Sequence, residues 1–226
     1  MLASIVIQIT PVFCTGWLWN TRRTMQKYSR SANRSDRSNN RSNSRNKRSV
    51  VGHFEKVELR QFSKDFIATF PLSETDREEL AETIVDVISD VYDHISLPKR
   101  GTIGSAAYDF VTPIAIKLKP GDSVNIPTGI RAVIEDPQFC LLLLPRSSMG
   151  FKYRLRLDNT VGLIDYDYQF ADNSGHIFAK ITNEGAKDVE LQAGDRFMQG
   201  LFVPFGITSD DDTTEERSGG IGSTGN

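Results

Sequence analysis

The alternation of apolar and polar residues changes character once along this chain, near Pro98. Ahead of that point, in "SETDREELAETIVDVISDVYDHI", Leu80, Ile84, Val87, Ile88 and Val91 recur at intervals of three and four, which aligns them in one stripe on a helix. Ser73 offers the side-chain oxygen of an N-cap, and the acids after it suit the positive end of the helix dipole. The pattern predicts a surface helix over about residues 73–94, with its acidic face in solvent and no chemistry of its own. After Pro98 short apolar runs take over: "AIKL", "SVNIPTGIRAVI", "FCLLLL", "VGLIDYDY", "HIFAKITN", "VELQ" and "RFMQGLFVPF". The turn signals "KPGD", "DNSG", "NEG" and "QAGD" separate them, and several alternate with a period of two. This predicts an all-β sandwich or barrel. "FCLLLLP" is apolar throughout and reads as a strand buried on both faces.

The start of the chain follows neither rhythm. Residues 1–21 are uncharged, but Gln8, Thr10, Pro11 and Gly16 interrupt their apolar character, which argues against a membrane span. The segment that follows is rich in Arg, Ser and Asn and nearly free of large apolar residues. It cannot bury enough surface to offset the entropy of ordering it, so residues 1–50 are expected to be a disordered leader. Three readings are ranked in order: an unstructured leader (with Met25 as an alternative start), an organelle-targeting peptide, and a basic arm for nucleic acid or an anionic surface. The expected organisation is therefore this leader, a β domain over 54–216 that includes the helix, and a C-terminal arm over 217–226. The expected compartment is the cytoplasm, with organelle targeting through residues 1–48 as the alternative.

Charge sharpens the picture because it is segregated. Residues 1–48 hold ten Lys and Arg and one acid, Asp36, so of the chain's 27 basic and 29 acidic residues 17 and 28 remain beyond them, a net charge of −11. Such a body repels nucleic acid, which is not an expected partner of it. A small anion would need local arginines or a metal ion to reverse the field. Cys14 and Cys140 form no disulfide framework, and His53, His94 and His176 show no ligand spacing with them, which argues against a zinc site.

Five stretches stand out: "GSAAYDF" (104–110), "PRSSMG" (145–150), "NTVGLIDYDY" (159–168), "GDRFMQGLF" (194–202) and "RSGGIGSTG" (217–225). In this order and spacing they resemble the five motifs of the trimeric dUTPases, in a form like that of bacterial and phage members, from about Leu97 to the last residue. The resemblance implies a jelly-roll-like β fold assembled as a homotrimer, with sites between subunits that draw on all three chains. It also implies Mg²⁺-dependent hydrolysis of dUTP to dUMP and pyrophosphate.

By that resemblance Asp165 aims and deprotonates the attacking water, a task for which an ionised carboxylate is suited. Asn159 and backbone groups of the hairpin around Gly162 pair with uracil, and a mismatched base would leave buried polar groups unpaired at about 1–3 kcal/mol each. Tyr168 packs under the deoxyribose where a 2′-hydroxyl would clash. Arg146, Ser147, Ser148 and Gln199 meet the phosphates, the arginine in bidentate fashion, while Arg196 is read as structural, paired within its own turn. Asp109 reaches the metal through water. The C-terminal arm folds over the nucleotide at a neighbouring site, with Arg217 on the γ-phosphate and Ile221, Gly222, Ser223 and Thr224 over the ligand. Taken alone, Asp165 also suits a turn beside a strand end, and Tyr166 and Tyr168 also suit alternating strand positions.

Three features depart from the family pattern. Ile221 stands where the family usually has a stacking Phe, which predicts weaker closure and a higher KM. One residue separates Arg217 from Gly219 where many members have two, and Ala107 stands where Gly is common. Ile221, the shortened arm and the extra helix over 73–94 motivate one alternative, a nucleotide-binding regulator with weak hydrolysis. A dCTP deaminase is ranked lower still, because "IDYDYQF" places Asp165 and Tyr168 as a dUTPase does.

Overall fold

The computed structural model describes residues 49–70, 83–217 and 219–220. The leader, Ser73 and Leu80 of the expected helix, and Ile221, Gly222, Ser223 and Thr224 of the arm lie outside the described residues.

Among the described residues eleven strands form three antiparallel sheets. The first runs in the order β1 (Gly52–Lys56), β5 (Ser123–Ile134), β9 (His176–Asn183), β7 (Leu155–Leu157). The second runs β2 (Lys99–Arg100), β3 (Tyr108–Val111), β11 (Arg196–Pro204), β6 (Phe139–Pro145), β8 (Gly162–Ile164). β4 (Ile116–Leu118) pairs with β10 (Val189–Leu191). The all-β reading holds, and the runs "SVNIPTGIRAVI" and "HIFAKITN" coincide with β5 and β9. Ile126 of β5, Leu141 of β6, Ile177 of β9 and Met198 of β11 are wholly buried, each worth about 1.5–3 kcal/mol of transfer free energy.

Two expectations about strands are corrected. β6 is not buried on both faces: Leu141 and Leu143 point into the core, but Leu142 and Leu144 are half-buried. Their cross-strand neighbours on that outer face are Leu163, Leu201 and Gln199, and Leu163 is 56% exposed. Among the described residues nothing covers this face fully, although Leu142, Leu144, Leu163 and Leu201 on it are as apolar as those inside. In "VGLIDYDY" only Gly162–Ile164 is strand; Tyr166–Phe170 is a 3-10 helix, so the tyrosines do not alternate across a strand. The Gln169 side chain holds that turn by donating to the carbonyls of Tyr166 and Ile134.

The helical part of the fold is larger than one surface helix. α2 (Thr83–His94) confirms the described half of the expected helix, with Ile88 buried and Ile84 and Val91 packed on the core. α1 (Leu59–Thr69) was not anticipated. Its signal is the spacing of four between Phe62, Phe66 and Phe70, in a segment otherwise too polar to stand out; Phe62 and Phe66 are core residues. α1 rests on β5 at a bulge, where pairing with β9 shifts register between Pro127 and Arg131, and α2 packs against α1. Gly129 at the bulge has φ +71, and a Cβ there would collide with Ile95 Cδ1 and press on Phe62. No residue other than glycine fits both the backbone and the packing.

Candidate active site

The residues singled out from the sequence fall into two groups, set by the register of β6. Pro145 ends β6, so Arg146, Ser147 and Ser148 project from that end. Asp109 on β3 and Gln199 on β11 are cross-strand partners beside Leu144. Arg146 Nε donates to Asp109 Oδ1 at 2.7 Å, and Arg196 Nη1 donates to Asp109 Oδ2 at 3.2 Å. Gln199 Nε2 donates to the Pro145 carbonyl at 3.1 Å, and Ser147 and Ser148 are exposed. Arg196 is thus not paired within its own turn. Asp195 instead caps the Gln192 amide, and Arg196 joins Arg146 in holding one carboxylate. The result is a pair of guanidinium groups fixed at a strand end, a geometry that suits phosphate oxygens.

The other group lies at the far end of β6. The pairing of Leu141 with Ile164 puts Asp165 level with Cys140, six residues along the strand from Arg146, or about 20 Å at the rise of a strand. Asp165 is 42% exposed and accepts from Arg217 Nη2 at 2.6 Å, while Arg217 Nε donates to Asp167 at 2.9 Å. Burial raises the Asp165 pKa from its ordinary value; the Arg217 charge pulls it back and Asp167 pushes it up again, with a net rise. Tyr168, three residues on, is buried with the Arg217 guanidinium 5.8 Å from its ring centre. Its hydroxyl donates to the His176 carbonyl at 2.7 Å and accepts from Asn173 Nδ2 at 2.8 Å. Burial raises the phenol pKa, so the hydroxyl stays a donor.

Between the two groups, Asn159 is exposed in the corner before β8, and an added Cβ on Gly162 would touch it. Thr160 beside it has φ 62, a strained conformation for a β-branched residue and one that tends to occur at ligand sites. Ala107 has no such strain: the non-glycine residues with positive φ are Arg154, Thr160 and Ser174 among the described residues, so alanine suits that backbone. Asp167, Asn173 and His176 were not foreseen. The spacing of two between Asp165 and Asp167 was a visible signal for the first, but nothing local marks the other two.

A family model described as dUTPase matches residues 93–225. The chain belongs to the dUTPase family. The matched segment contains both residue groups, whereas β1, α1 and most of α2 precede it. The deoxyuridine 5'-triphosphate nucleotidohydrolase of Shewanella piezotolerans is 38% identical over 136 residues, covering 57% of this chain and 86% of that protein. The enzyme of the same name from Lactococcus lactis is 40% identical over 134 residues, covering 58% of this chain and 89% of its own. A crystal structure of dUTPase from Streptococcus mutans is 40% identical, with a TM-score of 0.46, and covers 50% of this chain and 88% of that one.

Proposed function

We propose that this dUTPase-family chain hydrolyses dUTP to dUMP and pyrophosphate in sites shared between the subunits of a homotrimer. One observation carries the reading. The base candidate Asp165, beside the buried Tyr168, stands about 20 Å along β6 from the phosphate-binding candidates Arg146 and Gln199. A triphosphate with its α-phosphorus at Asp165 is too short to reach Arg146 of the same chain, so the second half of the site comes from another copy. The half-covered apolar face of Leu142, Leu144, Leu163 and Leu201 offers a surface that such copies would bury against one another.

Asp165 takes a proton from water as the water oxygen bonds to the α-phosphorus. The bond from that phosphorus to the bridging oxygen breaks, and pyrophosphate leaves with the bonding electrons. Arg146 and Gln199 from a neighbour stabilise charge on the phosphates. Tyr168, held rigid by two hydrogen bonds, meets the sugar where a ribose hydroxyl would intrude. In the free chain Arg217 occupies the space over Tyr168 and neutralises Asp165, so substrate must draw it away onto phosphate. The donors present suit a Mg²⁺ ion carried mainly by substrate. Among the described residues no group of three or more His, Cys, Asp or Glu forms a cage. Asp109 keeps a second lone pair on each oxygen for a bridging water. When bound, the ion offsets negative charge on the triphosphate.

The test is pyrophosphate release from dUTP, dCTP, dTTP and UTP offered in parallel with Mg²⁺, beside an Asp165→Asn variant. Turnover of dUTP alone, lost in the variant, is the expected result. Retained dUTP binding without turnover would refute the enzymatic reading.

A further inference from the structure

His176 is the least accessible titratable group near the site, at 0% side-chain exposure, and no catalytic step uses it. Its ring fixes its own protonation. The Gly129 amide donates to Nε2 at 2.8 Å, so that nitrogen carries a lone pair and Nδ1 carries the proton. Nδ1 then donates to Asp65 Oδ2 at 2.6 Å. The same Asp65 oxygen accepts from Gln61 Nε2 at 2.8 Å, one turn earlier on α1. Phe62 and Phe178 flank the ring, with centroids 6.1 and 4.6 Å away. His176 thus satisfies the bulge of β5 with one nitrogen and is anchored to α1 by the other. Its backbone carbonyl, in turn, is the acceptor for the Tyr168 hydroxyl. Asn173 donates to that hydroxyl and to the same carbonyl. Gly220 of the arm passes close enough to Asn173 that a Cβ there would lie 3.0 Å from Nδ2.

We propose that Asp65 and His176 are positioning residues for Tyr168, so that selection of deoxyribose over ribose depends on α1, an element outside the family-matched segment. The inference rests on the dUTP reading of the site. The carboxylate of Asp65 locks the imidazole, the imidazole locks the bulge and the first residue of β9, and that residue's carbonyl locks the ring that meets the sugar. A packed side chain supported by such a hydrogen-bonded shell holds its geometry to a fraction of an ångström, which a steric test against one hydroxyl requires.

The experiment compares kcat and KM for dUTP and UTP in the full-length wild type, Asp65→Ala, Asp65→Asn, Tyr168→Phe and the Asp65→Ala/Tyr168→Phe double variant. Asp65→Ala is expected to lower the dUTP-over-UTP preference about tenfold, mainly through a lower KM for UTP, with kcat for dUTP within about threefold of wild type. Asp65→Asn keeps an amide oxygen to accept from Nδ1 and is expected to retain most of the preference. In the Tyr168→Phe background Asp65→Ala is expected to add nothing, because both changes act through one hydroxyl. Should Asp65→Ala not fold, Asp65→Glu displaces the same acceptor by one methylene and must move the same ratio. An unchanged preference in Asp65→Ala with normal wild-type turnover overturns this proposal alone. So do additive losses in the double variant, or an Asp65→Asn variant as impaired as Asp65→Ala. Absence of dUTP turnover in the wild type overturns the functional reading and this inference together.

Discussion

If Asp165 and Arg146 of one chain serve different sites, two chains each crippled at one of them must repair each other. Asp165→Asn removes the base, at a cost of about 10²–10⁴ in rate. Arg146→Ala removes a guanidinium that is only 24% exposed and already oriented by Asp109. In each homotrimer every site is then defective. In a mixture assembled at random from equal amounts, a site takes its base from an intact Asp165 half the time and its arginine from an intact neighbour half the time. About a quarter of all sites are whole under cyclic symmetry. Selecting mixed trimers through different affinity tags on the two chains raises this to about a third, because each such trimer has one junction in the productive order. The assay is pyrophosphate release from dUTP by co-expressed chains, normalised to wild type. Were the two residues to act in the same site from the same chain, no mixture would exceed the sum of its parent homotrimers. That result would refute the argument from the register of β6.

Four further outcomes follow from the same structure. In the pH profile of kcat/KM, activity falls with acid as Asp165 gains a proton; burial and Asp167 outweigh Arg217, so the midpoint should lie above 3.8 and move higher in Arg217→Ala. A midpoint at or below 3.8 contradicts this. Burial lowers the His176 pKa against the pull of Asp65, so its contribution to stability is present above the unfolded value of 6.5 and is lost as pH falls toward the folded value. His53 has the opposite sign, because Glu55 and Glu135 raise its pKa and its contribution fades as pH rises. Thermal unfolding of His176→Gln beside wild type between pH 5 and 7 isolates the first, with a slope difference of at most about 1.4 kcal/mol per pH unit. Gly129→Ala meets both a left-handed backbone and Ile95, a cost on the order of 3 kcal/mol that a urea midpoint would register. Limited proteolysis should leave a resistant core that begins ahead of Gly52, since β1 is hydrogen-bonded along its length.

The β domain was legible because its strands carry a period of two and its turns carry glycine, proline and acids, so β5 and β9 could be bounded from the sequence. Asp165, Arg146 and Tyr168 stand out as candidates through motif spacing. The partners that orient them were not. The Asp109 carboxylate meets Arg146 across one intervening strand, β11, and His176 meets Asp65 from 111 residues away, with no local pattern recording either. α1 escaped notice because its three phenylalanines form a short stripe in a polar setting, and its place in the core depends on a groove built by β5 and Ile95. Leu142 and Leu144 misled for the opposite reason. Their apolar character matches burial, but the described residues leave them only half-covered.

The family-matched segment and the folding unit do not share a boundary. A chain begun at residue 93 would contain every motif residue and would still lack Phe54, Val57, Phe62 and Phe66 from its core. It would leave β5 with a bare edge along five residues, Lys56 to Gly52 having been its partners. Such an edge is a template for aggregation. Trimming this protein to its recognisable part would remove the wall on which the recognisable part is built.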